Sequence, residues 1–228
     1  VTDVRAVVFD LYGTLTDPAV ESGRRNLDAA MAGVVGADVG RWAAAMRSSF
    51  TARSTGAWGS VEQILRRLCD EVRVEVSSEV LERAVATRLA HHRQLTAPRP
   101  EADRVIRTLR GRGIRIAVLS DCTPEIDRTW PSFELRGLID VAVFSCHLGC
   151  RKPAAAMYEA VVTRLATRPQ DCLYVGDGSS GELSGAERAG MRAVRIAADH
   201  GMHIDVDVSW VGTTIPSLDE LPAIASPR

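Results

Sequence analysis

Lysine is almost missing from this chain of 228 residues: of 28 basic side chains only Lys152 is an ammonium, and the rest are guanidiniums. Composition explains the arginines and leaves Lys152 unexplained, because a compact point charge is not interchangeable with a planar fork. Charge of one sign is also lacking. A formal net charge of -1 gives no global field for phosphate backbones or anionic lipid, so neither nucleic acid nor a membrane surface is an expected partner. No apolar run approaches the roughly 20 residues that cross a bilayer, and the N-terminus has no basic segment followed by an apolar one. The five cysteines (Cys69, Cys122, Cys146, Cys150, Cys172) are odd in number and lack a framework spacing. Free thiols in a reducing, cytoplasmic setting are expected. Cys146-x3-Cys150 with Cys122 has no second half to make a zinc site.

What is present, at 46 % hydrophobic and 25 % charged, suffices for a packed core of one large domain or two small ones. Short apolar runs at Ala6–Phe9, Ile114–Leu119, Val141–Phe144, Cys172–Val175 and Ala193–Ile196 have the length of strands buried on both faces, and a further strand is expected near Ser209–Val211. Helical spacing over 99–112, 154–166 and 182–190 alternates with them. The pattern predicts an α/β fold with a parallel sheet covered on both sides. Between Pro18 and residue 93 it changes to four amphipathic helices near 19–34, 39–53, 60–73 and 78–92. They form a helical insertion, with core segments 1–17 and 94–228 on either side.

In an open parallel sheet the residues just beyond each strand converge on one crevice. That edge collects Asp10, then Ser120 and Asp121, then the loop to Lys152, then Asp177 followed by Glu182. A carboxylate nucleophile flanked by a hydroxyl and an ammonium suits phosphoryl chemistry. Asp10 with Asp177 suits Mg²⁺, which takes one or two carboxylates, water and substrate phosphate.

These residues resemble the four motifs of the haloacid dehalogenase-like hydrolase superfamily. Asp10-Leu11-Tyr12-Gly13-Thr14 is similar to D-x-D-G-T; Ser120 follows Ile116-Ala117-Val118-Leu119; Lys152 lies in Gly149-Cys150-Arg151-Lys152-Pro153. Gly176-Asp177 with Glu182, then Ala186 and Ala189-Gly190-Met191, completes the set. The resemblance spans about 1–16 and 99–197 and implies a Rossmann-like core with an all-α C1-type cap at the insertion. It makes Asp10 the nucleophile, Ser120 and Lys152 ligands of the transferred group, and Thr14 a support of the first loop. Asp10, the Tyr12 carbonyl, Asp177 and Glu182 would serve Mg²⁺, with Glu182 equally readable as an acid at a helix N-terminus. Asp121 stands where the family often has asparagine or glycine, and adds negative charge near the phosphate site.

Tyr12 departs from the pattern. Phosphatases of the superfamily carry a second aspartate there, and a phenol of pKa about 10 is a poor base at neutral pH. D-x-Y-G-T resembles the 2-haloacid dehalogenases, whose halide leaves without a proton, whereas Asp177 fits a metal-dependent phosphatase. The expectation is a Mg²⁺-dependent phosphatase of a small phosphorylated metabolite, with a haloacid dehalogenase or a weak phospho-ligand-binding protein as alternatives, acting as monomer or homodimer. In the insertion, Trp42, Arg47, Arg53 and Trp58 are candidates for a substrate pocket, Arg53 above the others. His91 and His92, and His200 with His203, read as surface or capping residues.

Overall fold

The computed structural model describes residues 3–21, 24–197 and 210–225. Six strands, β1 (Ala6–Phe9), β2 (Arg115–Ser120), β3 (Val141–Phe144), β4 (Cys172–Gly176), β5 (Arg192–Ile196) and β6 (Thr213–Ile215), form one sheet in the order β3-β2-β1-β4-β5-β6. Every neighbouring pair is parallel. The chain order reverses between β1 and β4, which opens a crevice beyond their carboxyl ends. The last strand lies at Thr213–Ile215 rather than at the expected Ser209–Val211; Trp210 and Val211 precede it without pairing, and Ser209, His200 and His203 fall outside the described residues.

Side chains alternate across the sheet with period two. Val7, Phe9, Ile116, Val118, Leu173 and Val175 enter one apolar cluster with Val105, Ile106 and Leu109, and Ala6, Val8, Ala117, Leu119 and Tyr174 enter the other. Because both faces are covered, the strands read as continuous apolar runs in the sequence.

Between β1 and the returning segment at Thr96–Pro100 the described residues form six helices: α1 (Pro18–Glu21), α2 (Arg24–Val35), α3 (Val39–Ser48), α4 (Phe50–Ser54), α5 (Val61–Val72) and α6 (Ser78–Leu95). They have a core of their own, in which Met31, Trp42, Ile64, Leu65, Leu68 and Ala84 are buried together. The single helix expected over 39–53 is broken at Ser49. Ser48 and Ser49 both donate their hydroxyls back to the Ala45 carbonyl, at 3.1 and 2.6 Å, a bond that competes with the helical ladder and bends it. α5 starts on a capping box between Ser60 and Gln63, worth about 1 kcal/mol against alanine at the cap. The outgoing and returning segments pair with each other through a Thr16–Pro98 bridge and an Arg99 N–H to Leu15 carbonyl bond of 2.8 Å.

The remaining helices are α7 (Ala102–Gly111) before β2, α8 (Ile126–Thr129) after it, α9 (Ser145–Leu148) after β3, α10 (Ala155–Arg164), α11 (Glu182–Arg188) after β4, and α12 (Leu221–Ile224). Among the described residues no helix is long and apolar enough to cross a membrane.

Candidate active site

β1 runs straight into a tight turn over Leu11–Leu15, in which Gly13 has φ 73°, a left-handed conformation that glycine adopts without penalty. The turn is braced from behind. Arg99, buried, donates to the Gly13 and Thr14 carbonyls at 2.8 Å each. Asp10 is thereby held at the end of β1, 6 % exposed.

Lys152 reaches the same place from the loop after β3. Its Nζ lies 2.5 Å from Asp10 Oδ1 and 2.5 Å from Glu182 Oε2, and 3.3 Å from the Tyr174 hydroxyl. Tyr174 in turn donates to Glu182 Oε2 at 2.7 Å, and the Gly178 N–H donates to Glu182 Oε1 at 3.1 Å. Glu182 can come this close because residue 176 is glycine: a Cβ there would collide with its carboxylate. Asp177, directly after β4, accepts the Ser179 N–H at 2.8 Å. One carboxylate oxygen from each of Asp10, Asp177 and Glu182 fits within a 4.8 Å span.

Lys152 thus pairs with two carboxylates, Asp10 and Glu182, and Asp177 is the third of the cluster, all three buried. Burial, and then the charges of Glu182 and Asp177, push the Asp10 carboxyl well above its ordinary range, although Lys152 works against them. Burial and Asp177 push Glu182 the same way. For Lys152 burial favours the neutral amine, but Asp10, Glu182 and Asp121 outweigh it and hold the ammonium well above its usual range.

Beside the cluster, the hydroxyls of Thr14 and Ser120 are buried with no hydrogen-bond partner. Buried polar atoms are normally satisfied, so the pair is suited to a ligand that accepts hydrogen bonds. Asp121 ties the β2 loop to the β3 loop. Its Oδ1 accepts the Lys152 backbone N–H at 3.0 Å, and its Oδ2 lies 3.4 Å from Arg151 Nε.

Tyr12 turns towards the insertion. Its hydroxyl is 2.8 Å from His92 Nε2 on α6, and His92 Nδ1 is 2.8 Å from Thr129 Oγ1 on α8. His92 is therefore neither a surface nor a capping residue, but 6 % exposed at the joint between insertion and core. Next to it Arg88 of α6 meets Glu125 at 2.6 Å, both largely buried. Burial opposes the Glu125 carboxylate, but Arg88 and then His92 overcome it and hold its pKa at about 2.

The described hydrogen bonds of Arg53 stay inside the insertion, to Ser49 Oγ at 3.0 Å and the Met46 carbonyl at 2.6 Å. Trp42 is core of the helical layer, Trp58 packs half-buried against that core, and Arg47 is exposed. Arg151, like Arg88, spans the layers: it lies 4.5 Å over the Phe50 ring and reaches Thr51 Oγ1 at 3.3 Å and Ser180 Oγ at 3.4 Å. Sequence reasoning passed over His92, Arg99, Arg151 and Tyr174 as site residues; proximity of Arg151 to Lys152 was the only local signal for any of them.

With this geometry in place the comparisons agree on the class. The model of the haloacid dehalogenase-like hydrolases matches residues 4–190, and the chain belongs to that family of hydrolases. A ribulose-1,5-bisphosphate 5-phosphatase of Halopiger xanaduensis is 29 % identical over 98 residues, 42 % of this chain and 40 % of that protein. The chain thus aligns with less than half the length of this curated relative. Among solved structures, an L-2-haloacid dehalogenase of Xanthobacter autotrophicus with chloropropionic acid covalently bound has a TM-score of 0.65 at 17 % identity, covering 97 % of this chain and 98 % of that one. A predicted phosphoglycolate phosphatase of Haemophilus somnus has a TM-score of 0.67 at 15 % identity, with 99 % of each chain covered. Such identities establish the fold and do not choose between the two chemistries.

Proposed function

We propose that the protein is a Mg²⁺-dependent phosphatase of a small phosphorylated metabolite, with Asp10 as nucleophile and residues 18–93 as its cap. The observation that carries this reading is the buried carboxylate cluster: Asp10, Asp177 and Glu182 bring one oxygen each within 4.8 Å of one another, with Lys152 bonded to two of them. Burying carboxylates without compensation is costly, and hard oxygen donors at this spacing fit a divalent cation. Asp10, Asp177, Glu182 and the Tyr12 carbonyl would hold Mg²⁺, which would supply positive charge to the phosphoryl oxygens.

In this reading the Asp10 carboxylate attacks phosphorus, the P–O bond to the leaving group breaks, and water later cleaves the aspartyl phosphate. Lys152 keeps Asp10 oriented and neutralises charge on the transferred group. The unpartnered hydroxyls of Thr14 and Ser120 bind phosphoryl oxygens. The Tyr12 hydroxyl, bonded to His92, anchors the cap and leaves leaving-group protonation to water or substrate, so acyl and aryl phosphates are the favoured class.

Dehalogenation is the second reading, favoured by Tyr12 because halide departs without a proton. The discriminating experiment measures initial rates on an aryl phosphate, an alkyl phosphate and a 2-chloroacid, each with Mg²⁺ and with chelator, against Asp10→Asn. Aryl phosphate turnover that requires Mg²⁺ and Asp10 supports the phosphatase. Chloride release indifferent to chelator would replace it with the dehalogenase.

A further inference from the structure

We propose that Cys122 and Cys146 form a modification site, a dithiol that hydrogen peroxide converts to a disulfide between the β2 loop and α9, on one side of the crevice. The sheet itself brings the pair together. Ser120 of β2 and Phe144 of β3 are in register, and each cysteine stands two residues beyond its registered partner. Their sulfurs are 3.9 Å apart. A disulfide bond of about 2.05 Å requires them to close by roughly 1.9 Å, a movement shared between the β2 loop and the one-turn helix α9.

The two thiols are unequal in the way the chemistry needs. Cys146 is half-buried and meets the reagent; Cys122 is 2 % exposed. Burial, then the neighbouring Cys146, pushes the Cys122 thiol well above its ordinary range, so the more accessible Cys146 is the one that meets peroxide first. In the first step Cys146 sulfur attacks the peroxide, the O–O bond breaks, and Cys146 sulfenic acid and one water form. In the second, Cys122 sulfur attacks Cys146 sulfur, the S–S bond forms, the S–O bond breaks, and the thiol proton leaves with hydroxide as a second water. Two thiols are oxidised and one peroxide is reduced. Exchange with an external dithiol reverses it.

Closure acts on the core loop and on the insertion together. Ser145 Oγ accepts the Cys122 N–H at 2.9 Å and donates to the Ser54 carbonyl of the insertion at 2.6 Å. The Cys146 carbonyl packs against Gly56, where a Cβ would collide with it. Pulling the sulfurs together therefore shifts the Ser120–Cys122 loop and the seat of the insertion in one movement.

The test treats the folded full chain, and separately Cys150→Ser, with hydrogen peroxide, blocks remaining thiols with iodoacetamide and maps tryptic peptides by mass spectrometry. The expected result in both is a peptide pair joined through Cys122 and Cys146, a denatured thiol titre lower by two, and full reversal by dithiothreitol. In Cys122→Ala, Cys146 should instead advance to sulfinic acid. Recovery of Cys122 and Cys146 both alkylated, or a bond from Cys146 to Cys150, would overturn the proposal. A several-fold fall in hydrolysis on oxidation rests on the phosphatase reading and is scored separately, so failure of that reading leaves the mapped disulfide standing.

Discussion

The loops after β1 and after β4 flank the same crevice but are held by different parts of the chain. The β4 loop is tied within the core: Glu182 is gripped by Lys152, Tyr174 and the Gly178 N–H. In the β1 loop Asp10 shares that grip, while Tyr12, two residues on, is bonded to His92 of the insertion. The charged cluster is thus complete without the helical layer, whereas the Tyr12 hydroxyl meets a partner from that layer. In the proposed phosphatase, nucleophile and cation chemistry would belong to the sheet edge and discrimination between substrates to the joint with the insertion.

The largest effects should come from the charged half. Asp10→Asn should remove turnover by at least about a thousandfold, because the nucleophile is lost, while the protein stays folded with one carboxylate fewer to repel. Steady-state rates beside circular dichroism check both parts. Lys152→Met should cost stability as well as activity, on the order of 3–5 kcal/mol, since breaking a buried pair leaves carboxylates unpaired. Mg²⁺ should recover part of that loss as a rise in Tm, by mass action on the native state. A Tm indifferent to Mg²⁺ in both wild type and variant would count against the cation reading of the carboxylate cluster.

At the joint with the insertion the Arg88–Glu125 pair predicts a pH effect of definite sign. The Glu125 pKa is lowered from 4.5 to about 2, so the stabilisation, about 3 kcal/mol for a nearly fully buried group, is present above pH 5. It is lost as pH falls towards 2. Melting curves of wild type and Glu125→Gln should differ most near neutral pH and converge in acid. A gap that widens on acidification would mean that Glu125 is not ionised in the native protein.

The sheet and its charged edge were legible in the sequence because both obey local rules. Apolar runs of strand length mark strands covered on two faces, and in such a sheet the next polar residue lies in the crevice, which is how Asp10, Ser120, Asp177 and, by its rarity, Lys152 come into view. What escaped has no local rule. Tyr12 and His92 are 80 positions apart, and nothing in His91-His92 at a helix end tells which ring meets the core. Arg53, the favoured pocket candidate of the insertion, bonds Ser49 and the Met46 carbonyl of its own layer, whereas Arg151 of the core reaches Phe50 and Thr51 across the layers. The break at Ser49 was hidden for a different reason: helical spacing continues through it, and only two hydroxyls folding back on one carbonyl end α3.

The smallest expected effect is also the sharpest on the division between the two loops. Tyr12→Phe removes the hydroxyl that meets His92 and leaves the ring in place, a loss of about 1 kcal/mol for one partly buried hydrogen bond. Thr129 Oγ1 still holds His92 Nδ1, so the histidine does not lose its position altogether. If the Tyr12 hydroxyl is an anchor, the variant should slow aryl and alkyl phosphates in the same proportion, because neither leaving group drew a proton from it. If it is the missing acid, the alkyl ester should suffer far more, since its poor leaving group needs the proton in the transition state. Comparing kcat/KM for the two esters in wild type and Tyr12→Phe therefore reads out the chemistry of position 12 independently of the modest change in Tm. A selective loss on the alkyl ester would move the leaving-group half of the reaction back from the insertion to motif one.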